Sequence, residues 1–435
     1  MFFSLDVMRA RKGDCLMVHH GKADDPHLIM IDGGPRQVYG PHLKPRIQQL
    51  RKARGLQPQR PLLVDLLMVS HVDDDHIQGI LDLTKELITA QMESKPELLQ
   101  VLSFWHNSFE NIIGQTPREL TAAFTQQFGA ASMAGDPPND LTIRCNDSTC
   151  DEEVINSTLK VLASIQQGAQ LRSDANRLQF PLNPEFDGDL IMARPANESI
   201  EVADGLSFTV IGPMLPELKM LHAKHQAWLK ELEKKGLDPD AALAAYIDRS
   251  VPNLSSIVVL AEADDASILL TGDARGDKIL KGLEFIGRVP KGGSLQVDVL
   301  KVPHHGSSNN LDNDFFQRIK ADHYVFSGDG EHGNPERESL EMLMNARSDP
   351  RDFKIHLTYP IEDIDKERKA DWEKEQAKEK KKKEKNPGQE VRPDWSPKTH
   401  SLTEFFKDHP AFAKKVQTVE EGKPHVIDLR DTLGF

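Results

Sequence analysis

The sequence predicts an α/β protein. Short apolar runs of about four to eight residues recur along the chain, and several of them end in an acid, a histidine or a glycine. The longest of these runs passes through a polar cluster into a segment whose apolar residues recur at helical spacing. Apolar residues make up 38% of the 435 positions and charged residues 28%, enough for a sizeable core and too apolar for global disorder. The length is about three typical domains, but one large domain with appendages also fits it.

Taken in order, residues 3–7 (Phe-Ser-Leu-Asp-Val) alternate, residues 15–19 follow a Gly13-Asp14 turn, and residues 28–31 run into Asp32-Gly33-Gly34, which together predict a meander. A helix is expected around 45–54. The apolar run 62–69 reads as one buried strand ending in Ser70-His71-Val72-Asp73-Asp74-Asp75-His76, after which Ile77, Ile80, Leu81 and Leu83 set a helical period. A strand at 101–104 leads into Trp105-His106-Asn107. Residues 106–200 are less regular, with helical pieces at 117–128 and 152–167 flanking a turn-rich stretch, and are read as an insertion that lids a site. A second, helix-rich insertion is read at 213–250. Strands are expected at 207–211, 257–260, 267–271, 297–302 and 324–327, again with polar ends.

The chain divides into a domain over 1–345 and a C-terminal extension over 346–435. In the extension, residues 361–385 mix acids with many lysines and read as a solvated helix or a disordered loop, with a docking helix for an anionic protein partner as the alternative. Apolar residues return after Trp395, so the tail is expected to pack back on the body.

The start, MFFSLDVMRARKGD, has no basic stretch before a long apolar run, and no segment approaches the roughly 18 apolar residues of a membrane span. Three cysteines, Cys15, Cys145 and Cys150, suit a reducing compartment, and the expectation is a cytoplasmic protein with free thiols. The formal charge of −14 argues against a broad basic surface for nucleic acid, so an anionic substrate has to be held locally.

Chemistry concentrates at the polar strand ends. Two imidazoles and three carboxylates within residues 71–76 repel or stay unsatisfied unless water or a cation balances them, and a metal is the economical explanation. Leu270-Thr-Gly-Asp273 and Pro303-His-His-Gly-Ser307 sit at two further strand ends.

The ordered motifs GDCLMV, LIMIDGG, SHVDDDHIQG, LTGDA and KVPHHGS resemble the metallo-β-lactamase superfamily, and within it the ComEC-like branch, the hydrolase domain attached to a DNA-uptake channel. No part of the chain resembles the channel. The resemblance covers roughly 1–345 and implies an αββα four-layer sandwich. It maps the metal motif onto His71, Asp73, Asp75 and His76, with Asp in the place of the second histidine. It makes Asp273 the carboxylate bridging two ions and His305 the last ligand, His304 standing beside it as a holding residue or as its replacement. One site is then Asp75, His76, Asp273 and His305, and the other His71, Asp73 and Asp273. The place of a further histidine is occupied by Asn253-Leu-Ser255-Ser256. Exchanging nitrogen for oxygen donors hardens the centre and shifts preference from zinc towards manganese or magnesium.

By the same resemblance two divalent ions, Mn2+ or Zn2+, acidify water for attack on a phosphodiester, and Asp75 orients the nucleophile and takes its proton. Asp32 supports the ligand loop. Ser307, His106, His332 and Asn334 are candidates for contact with substrate. The expected activity is that of a phosphodiesterase or nuclease, with DNA ahead of RNA. A small-molecule hydrolase of the lactonase or lactamase kind is the rival, favoured by the acidic charge, and a metal-poor sensing or scaffold module is the third reading.

Overall fold

The computed structural model describes residues 1–107, 167–195, 198–219, 255–347 and 352–435. The helical piece expected at 117–128, all but Gln167 of the one expected at 152–167, most of the second insertion, Cys145, Cys150 and Asn253 lie outside the described residues.

The protein is a mixed α/β structure built on two large sheets. In the first half of the chain the strands are β1 (Phe2–Val7), β2 (Leu16–Gly21), β3 (Pro26–Ile31), β4 (Leu62–Val64), β5 (Leu66–Val69), β6 (Leu99–Val101) and β7 (Phe104–His106). Then come β8 (Ile200–Ala203), β9 (Leu206–Gly212), β10 (Val258–Ala263), β11 (Ala266–Leu270), β12 (Leu295–Lys301), β13 (Ile319–Phe326), β14 (Lys354–Leu357), β15 (Val416–Thr418) and β16 (Val426–Asp428). One sheet runs β16-β1-β2-β3-β5-β7, the other β15-β14-β13-β12-β11-β10-β9-β8, and β4 pairs with β6 alone.

Alternation along the strands sorts their side chains onto two faces. Leu5, Val18, Ile31, Met68 and Trp105 of the first sheet share a buried core with Phe208, Val210, Val259, Ile268, Val299 and Val325 of the second. On the other face of the first sheet, Met17, Met30, Leu67 and Val69 pack against Ile47 and Leu50 of the helix Lys44–Ala53 and Ile77, Ile80 and Leu83 of the helix Asp74–Met92. On the other face of the second, Leu269, Leu300 and Tyr324 meet Ile279, Leu283, Phe315, Leu340 and Phe405 from four further helices.

The expected meander is present as antiparallel β1, β2 and β3. The run 62–69 differs from expectation by splitting at Asp65, whose carboxylate accepts from Leu28 N–H at 2.8 Å and lies 2.9 Å from His27 Nδ1. That diverts the chain, so β4 pairs with β6 while β5 pairs with β3. Residues beyond 346 complete both sheets: β14 and β15 extend the second, and β16 pairs antiparallel with β1. The lysine-rich stretch is one helix, Ile361–Lys385, whose first turns bury Ile364 and Arg368. Among the described residues no helix is long and apolar enough to cross a membrane.

Candidate metal centre

Strand β5 delivers Ser70, His71 and the acidic turn to the edge of the core, and the helix Asp74–Met92 starts within that turn. The turn is clamped onto the end of β3: Gly33 N–H donates to His76 O at 2.8 Å and Gly79 N–H to Gly34 O at 3.0 Å. A Cβ on Gly79 would fall 1.9 Å from Gly33 O, so only glycine permits this approach.

Asp32 fixes the imidazoles. Its Oδ1 accepts from Ser70 N–H at 2.7 Å, and its Oδ2 accepts from Ser70 Oγ–H at 2.7 Å and from His76 Nδ1–H at 2.8 Å. Ser70 Oγ in turn lies 3.1 Å from His71 Nδ1. A proton on Nδ1 of each ring leaves each Nε2 as a lone pair, the form in which histidine binds metal.

The other half of the site comes from the parallel pair β11 and β12. After β11 the chain turns at Gly272, φ +48°, into Asp273; after β12 it turns through His304 (φ +47°), His305 (φ +54°) and Gly306 (φ +83°). Two consecutive non-glycine residues in the left-handed region cost about 1–3 kcal/mol each. The turn is held by His304 N–H donating to Gly272 O at 3.1 Å and Ser307 N–H donating to His304 O at 2.8 Å.

These loops converge on Asp273. Its Oδ1 lies 3.2 Å from His76 Nε2 and 3.3 Å from His305 Nε2; its Oδ2 lies 3.7 Å from His71 Nε2 and 3.5 Å from His304 Nε2. Asp75 Oδ2 is 3.7 Å from His305 Nε2, and Asp73 Oδ2 is 3.7 Å from His71 Nε2. One ligand atom from each of Asp75, His76, Asp273 and His305 lies within 4.8 Å of all the others, and the same holds for His71, Asp73 and Asp75. His71 Nε2, His76 Nε2, His305 Nε2 and Asp273 Oδ1 are buried with no hydrogen-bond partner among the described residues. Such groups are costly to bury, and a divalent cation satisfies them together, so the residues fit one.

The charges follow the same geometry. Burial, reinforced by His76, pushes His71 down to about 3. For His305 burial acts downward, but Asp273 and Asp14 outweigh it and raise the ring to about 10. Burial pushes the Asp75 carboxyl up, yet His305 and His76 hold it below the usual carboxylate range.

Of the residues the sequence singled out, His71, Asp73, Asp75, His76, Asp273, His304 and His305 are brought together, and Asp32 stands behind them. Ser255 is buried, and its neighbour Ser256 accepts from Asp273 N–H at 3.3 Å. The Ser307 hydroxyl is directed at Glu336 Oε1, 3.5 Å away, and Ser308 also bonds to Glu336. His106 is buried and stacked on Phe104, its ring pushed down to about 4 by burial. His332 is half exposed and lies 3.3 Å from Lys12 Nζ, while the buried Asn334 has no partner for its Oδ1 among the described residues.

Two residues escaped the sequence reading. Asp14 is buried, with Oδ1 3.5 Å from His305 Nδ1 and Oδ2 paired with the buried Lys301. The available signals were a lone lysine in the apolar run 297–302 and the Gly-Asp step before β2. Gly13 packs so closely that a Cβ there would lie 1.8 Å from Asp75 O.

No protein-family profile matches the chain. It is similar to microtubule-associated protein 1A of Rattus norvegicus, 36% identical over 104 residues covering 23% of this chain and 4% of that protein. The Mus musculus protein of the same name is 34% identical over 102 residues, with the same coverages. The microtubule-associated protein futsch of Drosophila melanogaster is 36% identical over 72 residues, 16% of this chain and 1% of that one. The chain thus spans 4% or less of the length of these relatives. A solved chain from Parabacteroides distasonis, provisionally described as a metal-dependent hydrolase, overlaps 81% of this chain and 98% of its own with a TM-score of 0.29 and 8% identity.

Proposed function

We propose that the protein is a metal-dependent hydrolase of the metallo-β-lactamase kind, its two sheets and outer helices forming the αββα sandwich, and that it hydrolyses phosphodiesters, with DNA ahead of RNA. The observation that carries the reading is that His71, His76 and His305 turn buried Nε2 atoms, without hydrogen-bond partners among the described residues, towards one carboxylate, Asp273, whose two oxygens face different histidines. Divalent ions bound there, Mn2+ or Zn2+, supply Lewis acidity that polarises a phosphoryl oxygen and acidifies water.

The chain's own residues do the rest. Asp32 and Ser70 hold the rings of His76 and His71 with Nε2 forward, and Asp14 faces Nδ1 of His305. Asp75, whose side chain keeps 21% of its surface exposed, is the carboxylate placed to orient the attacking water and accept its proton. Ligation by Asp73, Asp75 and Asp273 favours manganese over zinc, and oxygen-rich centres suit phosphate chemistry.

The test is hydrolysis of bis(p-nitrophenyl) phosphate by chelator-stripped protein given manganese, zinc or magnesium, beside Asp75→Ala and Asp273→Ala. Turnover with manganese, absent from both variants while their circular dichroism is unchanged, is the expected result. Bound metal without phosphodiester turnover would move the assignment to a small-molecule hydrolase. Less than about a tenth of an ion per chain after loading would leave a non-catalytic sensing or scaffold module.

A further inference from the structure

The carboxylate of Asp273 has two poles. Oδ1 is served by two imidazoles, His76 and His305, at 3.2 and 3.3 Å; Oδ2 also has two, His71 at 3.7 Å and His304 at 3.5 Å. Where the family resemblance implies a further histidine for the second pole, the sequence has Asn253-Leu-Ser-Ser256. The fourth ring of the arrangement belongs to a residue adjacent to a ligand of the first pole. Neighbouring residues can serve opposite oxygens of one carboxylate only if the backbone between them turns sharply. That turn is present: both histidines have positive φ, and their rings are T-shaped, 5.9 Å apart at 74°. Strain that persists in a pinned turn marks a functional constraint, and here it splits the two imidazoles between the two oxygens. The His304 side chain is 27% exposed, whereas those of His71, His76 and His305 are buried.

We propose that His304 is a metal ligand, completing a second divalent-cation site with His71, Asp73 and the Oδ2 side of Asp273, in place of the nitrogen missing at 253–256. The proposal rests on the metal-dependent reading of the centre. It makes both poles mixed nitrogen and oxygen sites, so the second ion is held by two imidazoles rather than one, and the centre takes two ions of the manganese class rather than one.

The experiment is titration of the chelator-stripped full-length protein with Mn2+ alone, read by bound-metal stoichiometry, calorimetry and electron paramagnetic resonance. It compares the parent, His304→Gly and His304→Asn. Both replacements tolerate the left-handed backbone, so the ring is removed without adding strain, and the melting temperature of the metal-free variants is read alongside. The expected parent binds two ions about 3.5–4 Å apart with a spin-coupled spectrum. The variants keep the first ion at parental affinity, show the six-line spectrum of an isolated ion, and lose affinity for the second by more than the about 10–100-fold that loss of an outer partner costs. Two ions bound by both variants with affinities within about twofold of the parent would overturn the role of His304 and leave the metal-dependent reading standing. So would a parent that binds only one ion, which the variants keep. A parent that binds none would overturn both.

Discussion

Replacing Asp32 by asparagine changes one atom of a buried carboxylate that accepts three hydrogen bonds and donates none. Ser70 N–H meets Oδ1, while Ser70 Oγ–H and His76 Nδ1–H meet Oδ2 at 2.7 and 2.8 Å. An amide nitrogen at the Oδ1 position opposes a backbone N–H and leaves a buried donor unsatisfied, at about 1–3 kcal/mol. At the Oδ2 position it opposes the imidazole, and His76 can answer only by accepting at Nδ1 and carrying its proton on Nε2. That proton caps the lone pair 3.2 Å from Asp273 Oδ1, where the cation is expected. Loss of an outer partner of this type weakens metal binding by about 10–100-fold, or about 1.4–2.7 kcal/mol. Competition against a fluorescent chelator gives the affinity, and 15N shifts of the His76 ring report the tautomer. An Asp32→Asn protein whose manganese affinity stays within about twofold of the parent, with Nδ1 still protonated, would refute the argument that this carboxylate sets the ligand's tautomer.

The buried pair of Lys301 and Asp14 predicts that Lys301→Met destabilises by about 3–5 kcal/mol because it strands Asp14, and that adding Asp14→Asn restores much of the loss; urea unfolding of the single and double variants checks it. Gly79→Ala should destabilise by about 1–3 kcal/mol despite alanine's better helix propensity, since its Cβ meets Gly33 O, and a raised melting temperature would contradict the close approach. His356, between His323 and His425 at 2.9 and 2.8 Å, is pushed down to about 2 by burial and then by those two rings and Lys354. Its folded value lies below the unfolded one of about 6.5, so the unfolded chain binds more protons in acid and stability falls as pH drops below about 6.5. Between pH 7 and 5 the loss amounts to about 2 kcal/mol, and His356→Gln should remove that difference between the unfolding free energies measured at pH 7 and pH 5.

What was legible in the sequence was whatever local pattern encodes. Strand ends carrying His71–His76, Asp273 and His304–His305 stand out because polar residues abut apolar runs, and all of them meet in space. Asp65 was not legible as a break, because one acid in an apolar run reads as strand until its partners, His27 and Leu28, come from a different strand. Asp14 and Lys301 escaped for the same reason: each looks unremarkable alone, and only pairing across nearly three hundred residues makes both of them buried ions. Which oxygen of Asp273 His304 and His305 each face depends on the backbone angles at those two residues, which no composition or spacing encodes.

The pairing of β1 with β16 joins Leu5 to Ile427, so the free edge of the first sheet is closed by a strand made more than four hundred residues later. At ribosomal rates of about 5–20 residues per second, that edge waits roughly 20–80 s for its partner. During synthesis the half-built sheet therefore presents an unpaired, apolar-backed strand, the kind of edge that templates association with other chains. A protein wired in this way cannot cover that edge until residues 426–428 have been made.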